Sequence, residues 1–194
     1  MMIKGLIFDF DGTLADTMPL HWRAWEAIVA KYGLAFNLER FMSWGGKPAR
    51  EILRLLLEEQ SVRLDVSSVA AEKEALYLRH IDSIRPIEPV LAIVRDHHGK
   101  LPMAIATGGS RHVVQQVLAR LGIDHYFDVL VTNEDVTRFK PAPDVFLEAA
   151  RRMQVPPHAC RAYEDTDLGL KAIRAAGMHA VDVRHLRGDF NTSI

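Results

Sequence analysis

A single cysteine, Cys160, stands among 194 residues. It excludes an intrachain disulfide framework and cannot build a thiolate metal site alone, which fits a reducing compartment; Cys160 reads as a small buried hydrophobe. Excess charge of either sign is lacking too, since 24 Lys and Arg face 25 Asp and Glu. No basic surface for nucleic acid or an anionic membrane follows from that balance, and no block of like charge points to a disordered tail. Long apolar runs are also missing. Met1 to Phe8 is too short to span a bilayer, and Asp9 and Asp11 interrupt it before any signal-like cleavage pattern. Repeats and low-complexity segments are absent. With 48% hydrophobic residues the chain has enough to bury a sizeable core, divided between one larger unit and one small one. A cytoplasmic protein, monomeric or weakly oligomeric and without nucleic-acid or membrane partners, is expected.

What is present begins with strands. Residues 4 to 10 contain Leu6, Ile7 and Phe8 in succession, as a strand buried on both faces should. Leu101 to Ala106, Val129 to Thr132, Cys160 to Tyr163 and Ala180 to Val183 share that look. Helical patterns lie between them. In Ser110 to Leu121 an apolar stripe of Val113, Val114, Val117, Leu118 and Leu121 is framed by Ser110 as a cap and Gly122 as a stop. Ala142 to Met153 and Leu168 to Ala176 continue the alternation. The pattern predicts an α/β fold, a Rossmann-like doubly wound parallel sheet built from residues 1–15 and 88–194. Residues 16–87 break the rhythm with three successive helical patterns, Pro19 to Tyr32, Ala49 to Glu59 and Ser67 to Ile84. They predict an inserted all-helical cap, entered at Asp16 and Thr17 and left through the stiff "RPIEPV" of Arg85 to Val90.

Ligands of an open parallel sheet bind beyond the carboxyl ends of its strands, so the residues just after each strand carry the chemistry. In order these are Asp9, Asp11, Gly12 and Thr13; Thr107, Gly108, Gly109 and Ser110; a loop leading to Lys140; and Glu164 with Asp165. Two unit charges about 4 Å apart repel by roughly 4 kcal/mol at an effective dielectric near 20, so gathering Asp9, Asp11 and Asp165 at one rim requires a cation. An all-oxygen set selects a hard ion such as Mg²⁺. Thr107 and the amides of Gly108 and Gly109 make a hydroxyl-plus-nest anion site, to which Lys140 adds a cation. Such a site favours a dianionic phosphoryl group. Asp9 is placed to attack it, and Asp11 to protonate the leaving alkoxide and later to deprotonate water.

The stretches "DFDGTLADT", "ATGGS", "RFKPAPDVF" and "YEDTDLGLKAIRAAGM" resemble the four ordered motifs of the haloacid dehalogenase superfamily of phosphotransferases, over nearly the whole chain. The resemblance implies Asp9 as nucleophile and Asp11 as general acid and base. It places Thr107, Gly108, Gly109 and Lys140 on the phosphate, and Mg²⁺ on Asp9, the Asp11 backbone carbonyl and Asp165, with Glu164 close by among the metal carboxylates. The carboxylate at Asp11 argues against the haloalkanoate-cleaving and phosphonate-cleaving branches. The helical insertion is similar to the small cap of the branch that holds beta-phosphoglucomutase and the small sugar phosphatases. There "DTMPLHWRAW" resembles the start of the cap and brings forward His21 and Trp25, four apart on one helix face.

One departure bears on activity. Where a mutase cap loop carries an arginine that grips the second phosphate of a bisphosphate, "WGGKPAREI" places Ala49, with Lys47 and Arg50 alongside as candidate substrate contacts. Loss of that clamp points to hydrolysis, and cap and tail ("HAVDVRHL") are similar to the bacterial fructose-1-phosphate and 6-phosphogluconate phosphatases. The expectation is a Mg²⁺-dependent phosphatase of small sugar phosphates. A beta-phosphoglucomutase-type hexose phosphate isomerase stands as the alternative, and a non-catalytic sugar-phosphate-binding regulator as an alternative of another class. Asp16 is expected at the hinge as a turn carboxylate. Asp167 suits either a helix cap or a metal contact, and Arg111 either a substrate hydroxyl or a helix surface.

Overall fold

The computed structural model describes residues 2–186; Met1 and residues 187–194, the last stretch of the expected core unit, lie outside them. Five strands, β1 (Gly5–Phe8), β2 (Met103–Ala106), β3 (Val129–Val131), β4 (Cys160–Glu164) and β5 (His179–Asp182), form one sheet in the order β3-β2-β1-β4-β5. All pairings are parallel. Helices α1 (Met18–Tyr32), α2 (Leu38–Ser43), α3 (Ala49–Glu59) and α4 (Val66–Leu78) follow β1, and α5 (Glu88–His97), α6 (Arg111–Leu121), α7 (Asp144–Met153) and α8 (Asp167–Ala175) alternate with the later strands.

The alternation of side chains along a strand explains why β1 is apolar throughout. Leu6 and Phe8 face a layer holding Val90, Val94, Val113 and Val117 from α5 and α6. Ile7 faces the opposite layer, with Phe146 and Ala149 of α7 and Ile173 of α8. With both faces covered, each large side chain contributes about 1.5–3 kcal/mol of burial, and the carboxyl end of β1 is fixed at the centre of the rim.

The inserted helices have a core of their own, in which Trp25, Ile28, Phe41, Leu53, Leu56 and Val69 meet. Leu20, Ala24 and Tyr77, on other faces of α1 and α4, instead join Phe10 and Leu14 of the loop after β1. Both crossings are tied together, for Asp16 N–H donates to Arg85 C=O and Ile87 N–H to Leu14 C=O, each at 2.9 Å. Asp16 itself is exposed. Among the described residues no helix is long and apolar enough to cross a membrane.

Most differences from expectation lie in the helical insertion. The six residues of α2 are too few to show a period; Asn37 starts the helix by accepting from Arg40 N–H at 2.9 Å. Helix α4 stops at Leu78, ahead of the expected Ile84, and a short 3₁₀ turn over Ile81–Ser83 leads to the prolines. Two capping positions hold hydroxyl residues that do not cap. Thr17 turns its hydroxyl to Asp11, and Ser110 makes no bond to the amides of α6.

Candidate active site

At the end of β1 the Asp9 N–H donates to Tyr163 C=O on β4, which holds the carboxylate beside the β4 loop. Asp9 is 3% exposed, and its Oδ1 accepts from Lys140 Nζ at 2.6 Å. The same ammonium donates to Glu164 Oε2 at 2.7 Å. The other oxygen of Glu164 takes three donors: the amides of Asp165 and Thr166 and the Thr166 hydroxyl, at 2.9 to 3.0 Å. Glu164 is thereby a buried post that locks the turn into α8 and orients Lys140. The post needs space at Gly169, where a Cβ would lie 1.8 Å from Glu164 Oε2. Thr13 donates from its hydroxyl to Asp165 Oδ1 at 3.0 Å.

Oxygens of Asp9, Glu164 and Asp165 lie within 4.8 Å of one another. Lys140 offsets one of the three charges and leaves two. Burial pushes the Asp9 carboxyl well above its ordinary range, Glu164 adds to the rise, and Lys140 opposes it. The Lys140 ammonium is held above its ordinary range, since attraction to Asp9 and Glu164 outweighs the burial that lowers it. A donor set of carboxylate oxygens with a residual double negative charge fits a hard divalent cation.

Asp11 faces the other way. Its Oδ1 accepts from Thr17 Oγ1 at 2.8 Å and pairs with His21 Nε2 at 3.0 Å. Across the imidazole, His21 Nδ1 lies 2.6 Å from Lys73 Nζ. An ammonium only donates, so Nδ1 accepts and the ring proton sits on Nε2, directed at Asp11. Burial raises the Asp11 carboxyl, but His21, Thr17 and Lys73 outweigh it and hold the group below the ordinary carboxylate range. Burial lowers Lys73 to about 8, against the pull of Asp11 and Glu74, and with Lys73 it keeps His21 below its ordinary value against Asp11. Two carboxylates, two residues apart, thus sit in opposite electrostatic settings.

A cavity between insertion and sheet is lined by Asp9, Asp11, His21, Lys73, Thr107 and the loop from Gly108 to Ser110, among others. Thr107 is 1% exposed, and its hydroxyl accepts from Gly109 N–H at 2.9 Å, so that amide of the expected nest is held by the neighbouring side chain. Asn133 braces the loop, donating from Nδ2 to Gly108 C=O at 3.0 Å. On the insertion side, Lys47 lines the cavity, Trp25 lines it while packing edge-on against Phe36, and Arg50 lies exposed outside it. Lys140 and Glu164 are not in the lining; they lie behind Asp9. Arg111 turns away to Asp135, and Asp167 is exposed and paired with Arg184 at 3.0 Å, while Thr166 caps α8. Cys160 is buried, as expected of a small hydrophobe. Lys73, Tyr77 and Asn133 stand in none of the sequence motifs. For Lys73 a signal exists, since a charge falls on the face of α4 that also carries Val69, Ala70 and Tyr77.

A family model described as haloacid dehalogenase-like hydrolase matches residues 3–177. The chain is 43% identical to the fructose-1-phosphate phosphatase YqaB of Escherichia coli, over 94% of this chain and 97% of that one. It is 29% identical to the beta-phosphoglucomutase of Bacillus subtilis, over 93% and 83%. Among solved structures, the beta-phosphoglucomutase of Clostridium difficile superimposes with a TM-score of 0.84 at 27% identity, covering 93% of this chain and 84% of that one.

Proposed function

The chain belongs to the haloacid dehalogenase-like hydrolases, and from that premise we propose that it hydrolyses small sugar phosphates of the fructose 1-phosphate and 6-phosphogluconate type through a phospho-Asp9 intermediate. The observation that carries this reading is the opposite setting of Asp9 and Asp11, one held on a lysine beside a carboxylate cluster and the other on a histidine and a threonine.

In the first step an Asp9 carboxylate oxygen bonds to phosphorus while the bond from phosphorus to the sugar oxygen breaks. Asp11 gives its proton to the departing alkoxide. A dianionic phosphoryl group beside Asp11 raises its affinity for that proton, against His21 and Thr17, which lower it. In the second step Asp11 takes a proton from water, the water oxygen bonds to phosphorus, and the bond to Asp9 breaks. Inorganic phosphate leaves, and both carboxylates return to their starting states. Thr107 and the loop at Gly108 and Gly109 orient the phosphoryl oxygens, and Lys140 stabilises Asp9 as the bond to it forms and breaks. Asp9, Asp165, Glu164 and the Asp11 carbonyl would hold Mg²⁺, which when bound neutralises charge on the phosphoryl oxygens. The core unit of residues 1–15 and 88–194 supplies this machinery, and the cap of residues 16–87 excludes bulk water.

Ala49, standing where a mutase cap loop carries its clamping arginine, favours hydrolysis over isomerisation. Lys73 is committed to His21 and Arg50 lies outside the cavity, so among the described residues Lys47 is the cation left to meet a second phosphate. The test is phosphate release from a panel of sugar phosphates, with Mg²⁺ and with chelator. Release should need the metal, and Asp9→Asn should lower it by at least about 10³-fold while the protein still folds. Wild-type release by Asp9→Asn would remove the nucleophile. Conversion of beta-glucose 1-phosphate to glucose 6-phosphate, without free phosphate and after priming by a bisphosphate, would replace hydrolysis by isomerisation.

A further inference from the structure

Among the described residues three buried polar side-chain atoms have no hydrogen-bond partner: the Tyr77 hydroxyl, Ser110 Oγ and Asp144 Oδ2. The third belongs to a carboxylate whose other oxygen holds Arg138. The first two belong to residues that line the same cavity, one on α4 of the cap and the other on the core loop after β2. A buried hydroxyl left unpaired costs about 1–3 kcal/mol, and folded proteins keep few of them.

Neither hydroxyl has a structural task that accounts for it. Ser110 occupies the first capping position of α6, where serine ordinarily accepts from the helix amides, and makes no such bond. Tyr77 is 1% exposed, and its ring lies parallel to His21 at 4.2 Å, with Lys73 Nζ 5.3 Å from its centre. A phenylalanine ring would serve that packing without the cost of the hydroxyl. The stack sets Tyr77 beside the imidazole that touches Asp11, the group to which the proposed mechanism gives the leaving oxygen. The rest of the substrate must lie on that side of the phosphate. Both groups are uncharged donor-acceptors, which suits the neutral oxygens of a carbon skeleton and not a second phosphate.

We infer that the hydroxyls of Tyr77 and Ser110 bind hydroxyl groups of the substrate's carbon skeleton, one from the cap and one from the core, and select polyhydroxylated monophosphates over esters without hydroxyls. This rests on the phosphatase reading above. A site built to pair a substrate hydroxyl rejects an analogue that lacks it, because the site's own group is then left unpaired. Since the two hydroxyls come from the two units, a polyol phosphate also gains from cap closure in a way a plain ester does not.

The measurement is the ratio of kcat/KM for fructose 1-phosphate to that for p-nitrophenyl phosphate, in wild type, Tyr77→Phe and Ser110→Ala. Each substitution should lower the ratio by about 3- to 10-fold, the value of one neutral hydrogen bond. The melting temperature of Tyr77→Phe should be no lower than that of wild type, because the change removes an unpaired group. An unchanged ratio, equal losses on both esters, or a Tyr77→Phe protein destabilised by several degrees would overturn the inference. If wild type released phosphate from neither ester, the phosphatase reading would fail by itself. Calorimetric affinities for fructose 1-phosphate relative to inorganic phosphate would then decide: the same drop in the variants supports the two hydroxyls as sugar contacts, and an unchanged preference overturns them.

Discussion

At the scale of single residues, the chain treats chemically identical side chains differently through what it packs against them. Asp9 is desolvated among carboxylates and answered by one lysine, whereas Asp11 is desolvated and answered by a histidine, a threonine and a second lysine behind the histidine. The outer member of that relay, Lys73, makes a specific expectation. With Met in its place the side chain keeps its length and apolar contacts, but His21 Nδ1 loses its donor and the ring proton is no longer confined to Nε2. Asp11 then meets a mixture of tautomers. Lys73→Met should lower kcat by about 10- to 100-fold, within the range that positioned acid-base groups contribute. Its melting temperature should hold or rise, because an ammonium has been removed from an apolar setting between Trp25 and Tyr77. Phosphate-release kinetics together with a thermal melt check both parts, and a kcat within twofold of wild type would detach Lys73 from the proton chemistry.

At the scale of elements, the decisive contact is between two stretches of backbone. The cap loop at Gly45 and Gly46 rests on the core: a Cβ at Gly45 would meet Thr166 Cγ2 at 2.9 Å, and one at Gly108 would meet the Gly46 carbonyl oxygen at 2.4 Å. Gly46, at φ +86°, occupies a conformation that other residues rarely adopt. Thus the glycines of "WGGK" and "ATGGS" share a purpose that neither motif reveals alone, namely close approach of one loop to the other. Gly108→Ala forces that carbonyl away, and a backbone atom cannot swing aside as a side-chain tip does. Because a misplacement of about 1 Å in a positioning element costs about 10²-fold, kcat/KM for fructose 1-phosphate should fall by that order while the sheet stays folded. Wild-type kcat/KM in Gly108→Ala would mean that the loops need not meet during turnover. The sheet was the legible part of the fold, because a parallel strand covered on both faces must be apolar at successive positions, as at Leu6, Ile7 and Phe8. The short α2 and the early end of α4 were not legible, since neither leaves a helical period.

At the scale of the whole molecule, the site is legible where the topology alone delivers a residue to the rim and illegible where packing between units delivers it. Asp9 and Thr107 follow strands and Glu164 ends one, so their meeting is a property of a parallel sheet. Lys73 and Tyr77 come from a helix more than fifty residues away from His21, and only the docking of α4 against α1 brings them to it. In sequence Ser110 is a helix cap, and only the folded loop leaves its hydroxyl unpaired. The fold also carries a cost that the site imposes on it. Three carboxylates gather at one place and a single ammonium pairs with two of them, Asp9 and Glu164, so the metal-free protein holds mutual repulsion there, and replacing one carboxylate should stabilise it. Asp165→Asn is the suitable change, because an amide oxygen still accepts from Thr13. Without metal this variant should melt above wild type, by about 2–4 °C for each kcal/mol of repulsion removed in a chain of this size. Mg²⁺ at about 100 times its dissociation constant adds roughly 2.7 kcal/mol to whichever protein binds it, so wild type should gain about 5–10 °C and overtake the variant, which should gain little. Paired thermal melts with and without Mg²⁺ separate the two effects. A metal-free Asp165→Asn protein that melts well below wild type would mean that the carboxylate stabilises the fold, and an equal Mg²⁺ shift in both proteins would place the cation elsewhere.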